Sequence, residues 1–129
     1  SFLNEEGRCT IHSKRPNICR LFPLGRVYKD NDFKYFLQIG NCPKENLQDV
    51  KVSNWVGIEN YDENKRFILE WYNFIKALTF RLKFVYDEKE IEKVNQVLLD
   101  SFYRININDD FYSVFFKSLP EIKNRLGII

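Results

Sequence analysis

The chain of 129 residues contains no methionine, only one histidine and only three cysteines. Because methionine is absent, we expect that translation did not begin at Ser1 and that the chain is a processed product, a proteolytic fragment or the ordered part of a longer protein. Three cysteines make neither a disulfide framework nor a complete four-thiolate metal site. The chain also has no apolar run approaching the roughly 20 residues that a membrane helix needs. It shows no signal peptide. We therefore predict a cytoplasmic protein with no membrane partner.

Neither sign of charge is in large excess, since the chain has 20 basic and 18 acidic residues and a net charge of +2. That balance gives no support for a nucleic-acid partner. The chain is 44% hydrophobic and 16% aromatic, which excludes a disordered tail and a scaffold held mainly by disulfides. Glycine-rich phosphate loops and helical His-Glu-x-x-His motifs are missing as well. Ordinary hydrolytic and nucleotide-dependent activities therefore have no visible support.

Turn-forming residues are concentrated at the start of the chain. Residues 1–51 hold all three cysteines, three of the five glycines and three of the four prolines. We predict a cysteine-motif region over 1–51 and a helical region over 52–129 packed against it. Within the first region, Pro16 favours a short helix, and the runs 25–28 and 33–39 are typical of a β-hairpin.

The second region shows helical spacing of its apolar residues. The main stripe consists of Phe67, Trp71, Phe74, Leu78, Leu82 and Val85. We expect Trp71, Phe74 and Leu78 to be buried, and we interpret Trp55 and Tyr61, which precede the stripe, as core residues too. The spacing predicts an aromatic-rich bundle of three or four helices. The fold class is therefore mainly α with a small β element.

Local signals place the helix ends. Asp62 is the expected cap of the first long helix, and Asp87 with Glu90 has the spacing of a capping box for the second. Asn108 is expected to cap a third helix. Pro120 is expected to open a last short helix ending at Gly127. The segment 52–58 is expected to form a short helix of its own.

The sharpest pattern surrounds the cysteines. It consists of Gly7-Arg8-Cys9-Thr10-Ile11-His12, Arg15-Pro16, Cys19-Arg20, Phe22-Pro23 and Cys42-Pro43. This pattern resembles the YkgJ-type cysteine-cluster family over residues 2–43. The resemblance implies a zinc- or iron-chelating domain, and flagellin lysine N-methylases carry a related one. Family members also have a compact Cys-x-x-Cys-x-x-Cys-Cys cluster, which we expect upstream of Ser1 in the parent protein, since no cysteine precedes Cys9.

The chemistry of the three thiols leaves two interpretations open. Cys9, Cys19 and Cys42 are candidate ligands because thiolates favour zinc or iron–sulfur clusters. The helix after Pro16 could turn Cys19 back toward Cys9, and Cys42 follows the hairpin. Alternatively, all three are buried structural cysteines. His12 could be a fourth ligand, although a half-buried structural role is favoured.

The two arginines beside the cysteines also have alternative roles. Arg15 and Arg20 could support a cluster by offsetting the negative charge of several thiolates. They could instead bind an anion or a cofactor carboxylate, or hold backbone carbonyls around the cysteine loops, which is favoured over anion binding.

Three classes of function follow from these interpretations. The first is a metal-site protein with zinc or an iron–sulfur cluster. The second is a lysine N-methylase-like enzyme that uses S-adenosylmethionine, as the resemblance implies. The third is a helical module with a protein partner, in which the cysteines only stabilise the fold.

Overall fold

The structure, a computed structural model, describes residues 2–40, 48–106 and 108–128. The chain forms two compact units, residues 1–59 and 60–129. As predicted, the fold is mainly α with a small β element. The elements are α1 (Asn17–Leu21), β1 (Leu24–Lys29), β2 (Asp32–Leu37), α2 (Val52–Val56), α3 (Tyr61–Leu82), α4 (Glu88–Leu98) and α5 (Phe111–Arg125).

The first unit begins with a loop that folds back on itself. Leu3 and Cys9 form an isolated antiparallel bridge, and the Thr10 N–H donates to the Phe2 carbonyl at 2.8 Å. Inside the loop, the Asn4 side-chain oxygen accepts from the backbone N–H groups of Glu6 and Arg8. A 3₁₀ turn, His12–Lys14, follows and leads into α1.

The predicted hairpin is present. Strands β1 and β2 pair antiparallel with Lys29 opposite Asp32, so only Asp30 and Asn31 form the turn. Both turn residues have positive φ, 52° and 57°, the conformation that a two-residue turn needs to match the strand twist. Phe33 is buried, and the Arg26 guanidinium lies 5.3 Å from the centre of its ring.

The two short helices of this unit end where the sequence restricts the backbone. Helix α1 stops at Phe22, because the following Pro23 disfavours helical backbone at the residue before it. Helix α2 ends at Val56, because Gly57 takes the left-handed conformation with φ of 59°. The predicted extension of α2 to residue 58 is therefore wrong.

The second unit begins with the longest helix, α3. Its cap is Asn60, whose side-chain oxygen accepts from the Glu63 N–H, whereas the predicted cap was Asp62. Asp62 lies in the first turn, where a carboxylate interacts favourably with the helix dipole.

Helix α4 has the predicted cap, because Asp87 accepts from the Lys89 N–H at 3.0 Å. Glu90, the expected capping-box partner, instead accepts from Arg81 Nη2 at 3.1 Å. One π-helical turn, Leu99–Tyr103, extends α4.

Helix α5 corrects two predictions. Asp110 caps it by accepting from the Ser113 N–H at 2.8 Å, so Asn108 is not the cap. Pro120 lies inside the continuous helix and opens no new one. Interior proline costs about 3 kcal/mol, which burial of Leu119 and Ile122 on either side offsets. The predicted stop at Gly127 is confirmed: its φ is 61°, and the Ile128 N–H donates to the Lys123 carbonyl at 2.8 Å.

The core of the second unit is aromatic. Phe74 and Phe115 are 0% and 1% exposed. Leu78 is buried as predicted, but Trp71 is only partly buried and packs its ring 5.3 Å from that of Phe102. The buried members of this core are Phe74, Leu78, Val94, Phe102, Phe115, Leu119, Ile122, Leu126 and Ile128. No helix in the described ranges is long and apolar enough to cross a bilayer.

Candidate functional site

Two of the three predicted metal-ligating cysteines lie in the described part of the chain. Cys9 is half-buried in the N-terminal loop, where it pairs with Leu3 across the isolated bridge. Cys19 is exposed in the middle of α1. Both are free thiols. The third, Cys42, lies outside the described residues, so the predicted convergence of all three stays a prediction.

The described residues bring too few possible ligands together for a metal ion. Over residues 2–40, 48–106 and 108–128, no three His, Cys, Asp or Glu side chains are grouped so that they could hold an ion. Zinc in proteins takes four ligands, of which at least three come from the chain. The described residues alone therefore do not fit a metal centre, and a site on this chain requires at least one ligand outside them, for which Cys42 is the predicted candidate.

His12 does not show the half-buried structural role that the sequence favoured. It is exposed in the 3₁₀ turn that separates Cys9 from α1. A turn of three residues presents its side chains to solvent because it has too little length to bury a face. The ring is accessible as a donor, an acceptor or a ligand.

Arg15 and Arg20 are both half-buried, but their contacts differ. The Arg15 Nε donates to the His12 carbonyl at 3.1 Å, which is the carbonyl-holding role that the sequence favoured. The Arg20 guanidinium has no such bond to any described residue. The two arginines therefore do not share one structural role.

A cleft of about 420 Å³ opens beside these side chains, within the first unit. Its lining consists of His12, Arg15, Arg20, Phe22, Trp55, Val56 and Gly57. Trp55 is 47% exposed, so its assignment to the core is wrong. Its indole N–H donates to the Phe22 carbonyl at 3.1 Å, which ties α2 to the end of α1.

Sequence reasoning missed Trp55 as a member of this site. Trp55 is distant from the cysteine motif along the chain, and as an aromatic residue that precedes the α3 stripe it resembles a core residue. The signal that could have found it is the glycine at position 57. That glycine ends α2 one residue after Val56, so Trp55 belongs to a short helix of the first unit and cannot continue the stripe of α3.

Comparisons with protein-family profiles, with curated proteins and with solved structures found no match to this chain. The resemblance to the cysteine-cluster family thus stays a prediction.

Proposed function

We propose that this chain binds a thiophilic metal, as zinc or an iron–sulfur cluster, through Cys9, Cys19 and Cys42. The observation that carries the proposal is that Cys9 and Cys19 form no disulfide and lie within one compact unit. Thiolates bind zinc and iron–sulfur clusters better than they bind hard cations. An odd number of thiols also suits a metal better than disulfide pairing.

The local structure supports the same proposal. Backbone bonds, not the thiols, hold the Cys9 loop, since Asn4 N–H donates to the Arg8 carbonyl at 2.9 Å and Thr10 N–H to the Phe2 carbonyl. The loop is therefore closed without a disulfide, and the Cys9 thiol is available to bind a metal. Cys19 lies on an exposed face of a five-residue helix, where a buried structural cysteine would not be placed.

The test is a titration of the reduced chain with Co²⁺, followed through the thiolate-to-metal charge-transfer absorption, and then displacement by Zn²⁺. We expect one equivalent to bind. Each of Cys9→Ser, Cys19→Ser and Cys42→Ser should weaken binding at least about tenfold, because each removes one thiolate.

A matched control separates ligand loss from damage to the loop. Thr10→Val removes the hydroxyl that donates to the Phe2 carbonyl at 3.0 Å, next to Cys9, without touching a thiol. It should bind cobalt as the unmodified chain does. Less than one equivalent bound by the unmodified chain would contradict the proposal. So would serine variants that bind cobalt as tightly as the unmodified chain.

A helical module with a protein partner is the second candidate, because one observation favours it. Phe80 and Phe84 are 64% and 67% exposed at the end of α3, and their rings form a pair 5.6 Å apart. Large exposed aromatics are typical of interaction surfaces. A chain that binds no metal in the cobalt titration would favour this candidate. The methylase alternative, which binding of S-adenosylmethionine would test, has nothing in its favour among the described residues.

A further inference from the structure

We propose that the cleft of the first unit binds a small organic anion, namely a carboxylate or phosphate monoester carried on a planar ring. The residues that would hold it are Arg15 and Arg20 for the anionic group and Trp55 and Phe22 for the ring. This site is separate from the thiol chemistry and does not rest on it.

The charge of the cleft is the first argument. Two arginines and one histidine line it, and none of its described lining residues is a carboxylate. Two arginines of the second unit do lie beside acids: Arg81 meets Glu90 at 3.1 Å and Arg104 meets Asp100 at 2.7 Å. The cleft therefore concentrates positive charge that no described residue neutralises.

The unused hydrogen-bond donors are the second argument. Only Nε of Arg15 is engaged, through the His12 carbonyl, so its two Nη groups remain free of partners among the residues described. The whole Arg20 guanidinium is likewise available. Guanidinium groups match the paired oxygens of carboxylate and phosphate, and such charge-assisted bonds are about twice as strong as neutral ones.

The walls of the cleft are the third argument. The hydrogen bond from the Trp55 indole to the Phe22 carbonyl fixes the indole against the end of α1. Leu21 and Val56, their neighbours in the sequence, are buried at 4% and 5% exposure, which anchors both helices. Trp55 and Phe22 are each nearly half exposed, so a planar ring can contact them.

The dimensions agree with a small ligand. A cleft of about 420 Å³ falls at the lower end of the range of about 300–1,000 Å³ that is usual for small-molecule sites. A single ring with one anionic group suits that size, whereas a folded protein domain or a nucleic-acid duplex does not.

The experiment uses the complete, ¹⁵N-labelled chain and its two tryptophan indole N–H signals, which Trp55→Phe assigns. Phenyl phosphate, benzoate, inorganic phosphate and benzyl alcohol are titrated separately, without added metal. We expect the Trp55 signal to shift saturably with at least one ring-bearing anion, while the Trp71 signal in the second unit stays in place. The tighter of the two anions identifies the preferred group.

Variants then test the assigned residues. Arg15→Gln and Arg20→Gln should each weaken binding about tenfold or more, and Arg20→Lys, which keeps the charge but loses the planar fork, should weaken it less. Arg8→Gln is the matched control, since it removes one positive charge from the same unit outside the cleft. It should stay within about twofold of the unmodified chain.

Several results would overturn the proposal. The first is that no ring-bearing anion shifts the Trp55 signal saturably. The second is that benzyl alcohol or inorganic phosphate binds as tightly as the anions with rings. The third is that Arg8→Gln weakens binding as much as Arg20→Gln. Repeating the titration on Cys9→Ser keeps this test independent of the metal proposal. That variant should bind the anion normally even though it loses a thiolate, because Cys9 does not line the cleft.

Discussion

Phe74 should be one of the residues on which the stability of the helical unit depends most strongly. Its ring is 0% exposed and lies 5.7 Å from the Trp71 ring and 5.9 Å from the Phe102 ring. Truncating a buried phenylalanine to alanine costs about 3–5 kcal/mol. We expect a loss within that range, because the Phe74 ring is fully buried.

A loss of that size approaches the total stability of the unit. At about 0.05–0.15 kcal/mol per residue, residues 60–129 have a free energy of unfolding of about 4–10 kcal/mol. The graded variant Phe74→Leu is therefore the better test, with an expected loss of about 1–2 kcal/mol. With a urea slope near 1 kcal/mol per molar, that loss lowers the midpoint by about 1–2 M.

The assay is urea unfolding followed by circular dichroism at the helical band. Phe80→Ala is the control, because it removes the same side chain from the same helix at a position that is 64% exposed. Its cost should stay within about 0.5 kcal/mol. A midpoint for Phe74→Leu that equals that of the unmodified chain, or one that equals that of Phe80→Ala, would refute the account of this core.

Three further predictions use the same unfolding assay. Tyr112→Phe should cost about 1–3 kcal/mol, since the buried Asn64 then loses the acceptor to which its Nδ2 donates at 2.8 Å; no loss would contradict that bond. Gly127→Ala should cost about 1–2 kcal/mol and Gly127→Asn less, because φ is 61° there; equal costs would argue against backbone strain. Hydrogen bonds from the Ser113 side chain and then its backbone N–H hold the pKa of Asp110 below its usual value of 3.8. The ionised Asp110 carboxylate therefore stabilises the fold fully above pH 3.8, and this stabilisation is lost as pH falls through the lowered pKa. Asp110→Asn should make the stability depend less on pH in the acid range, and an unchanged dependence would refute this.

Much of the fold was predictable because its signals are local. The hairpin turn lies in a polar tetrapeptide between two aromatic strands. Asp87 begins a helix through its own side chain, and Gly127 ends one because glycine readily takes positive φ. Predictions failed where two neighbouring residues could do the same task. Asn60 and Asp62 can both cap a helix, as can Asn108 and Asp110, and only the three-dimensional entry of the chain decides between them.

Pro120 shows a different limit of sequence reasoning. Its local preference is to open a helix, but Leu119 and Ile122 are both buried in the core, and their packing keeps α5 continuous through it. Tertiary burial of that kind is invisible in a window of a few residues.

The candidate site was predictable in part. The cysteine motif identified Arg15 and Arg20 as noteworthy because they stand beside cysteines in the sequence. The partnership of Trp55 with Phe22 could not be predicted, because it joins residues 33 positions apart through one hydrogen bond.

The most direct test of metal binding is hydrogen exchange on the reduced chain, with and without one equivalent of zinc. A thiolate site gathers separate loops, so its binding free energy is also folding free energy for those loops. We predict that zinc slows exchange across residues 5–40, leaves α3 to α5 unchanged, and has no effect on Cys19→Ser. Equal exchange across residues 5–40 in both states would contradict the account and identify the cysteines as ordinary structural residues.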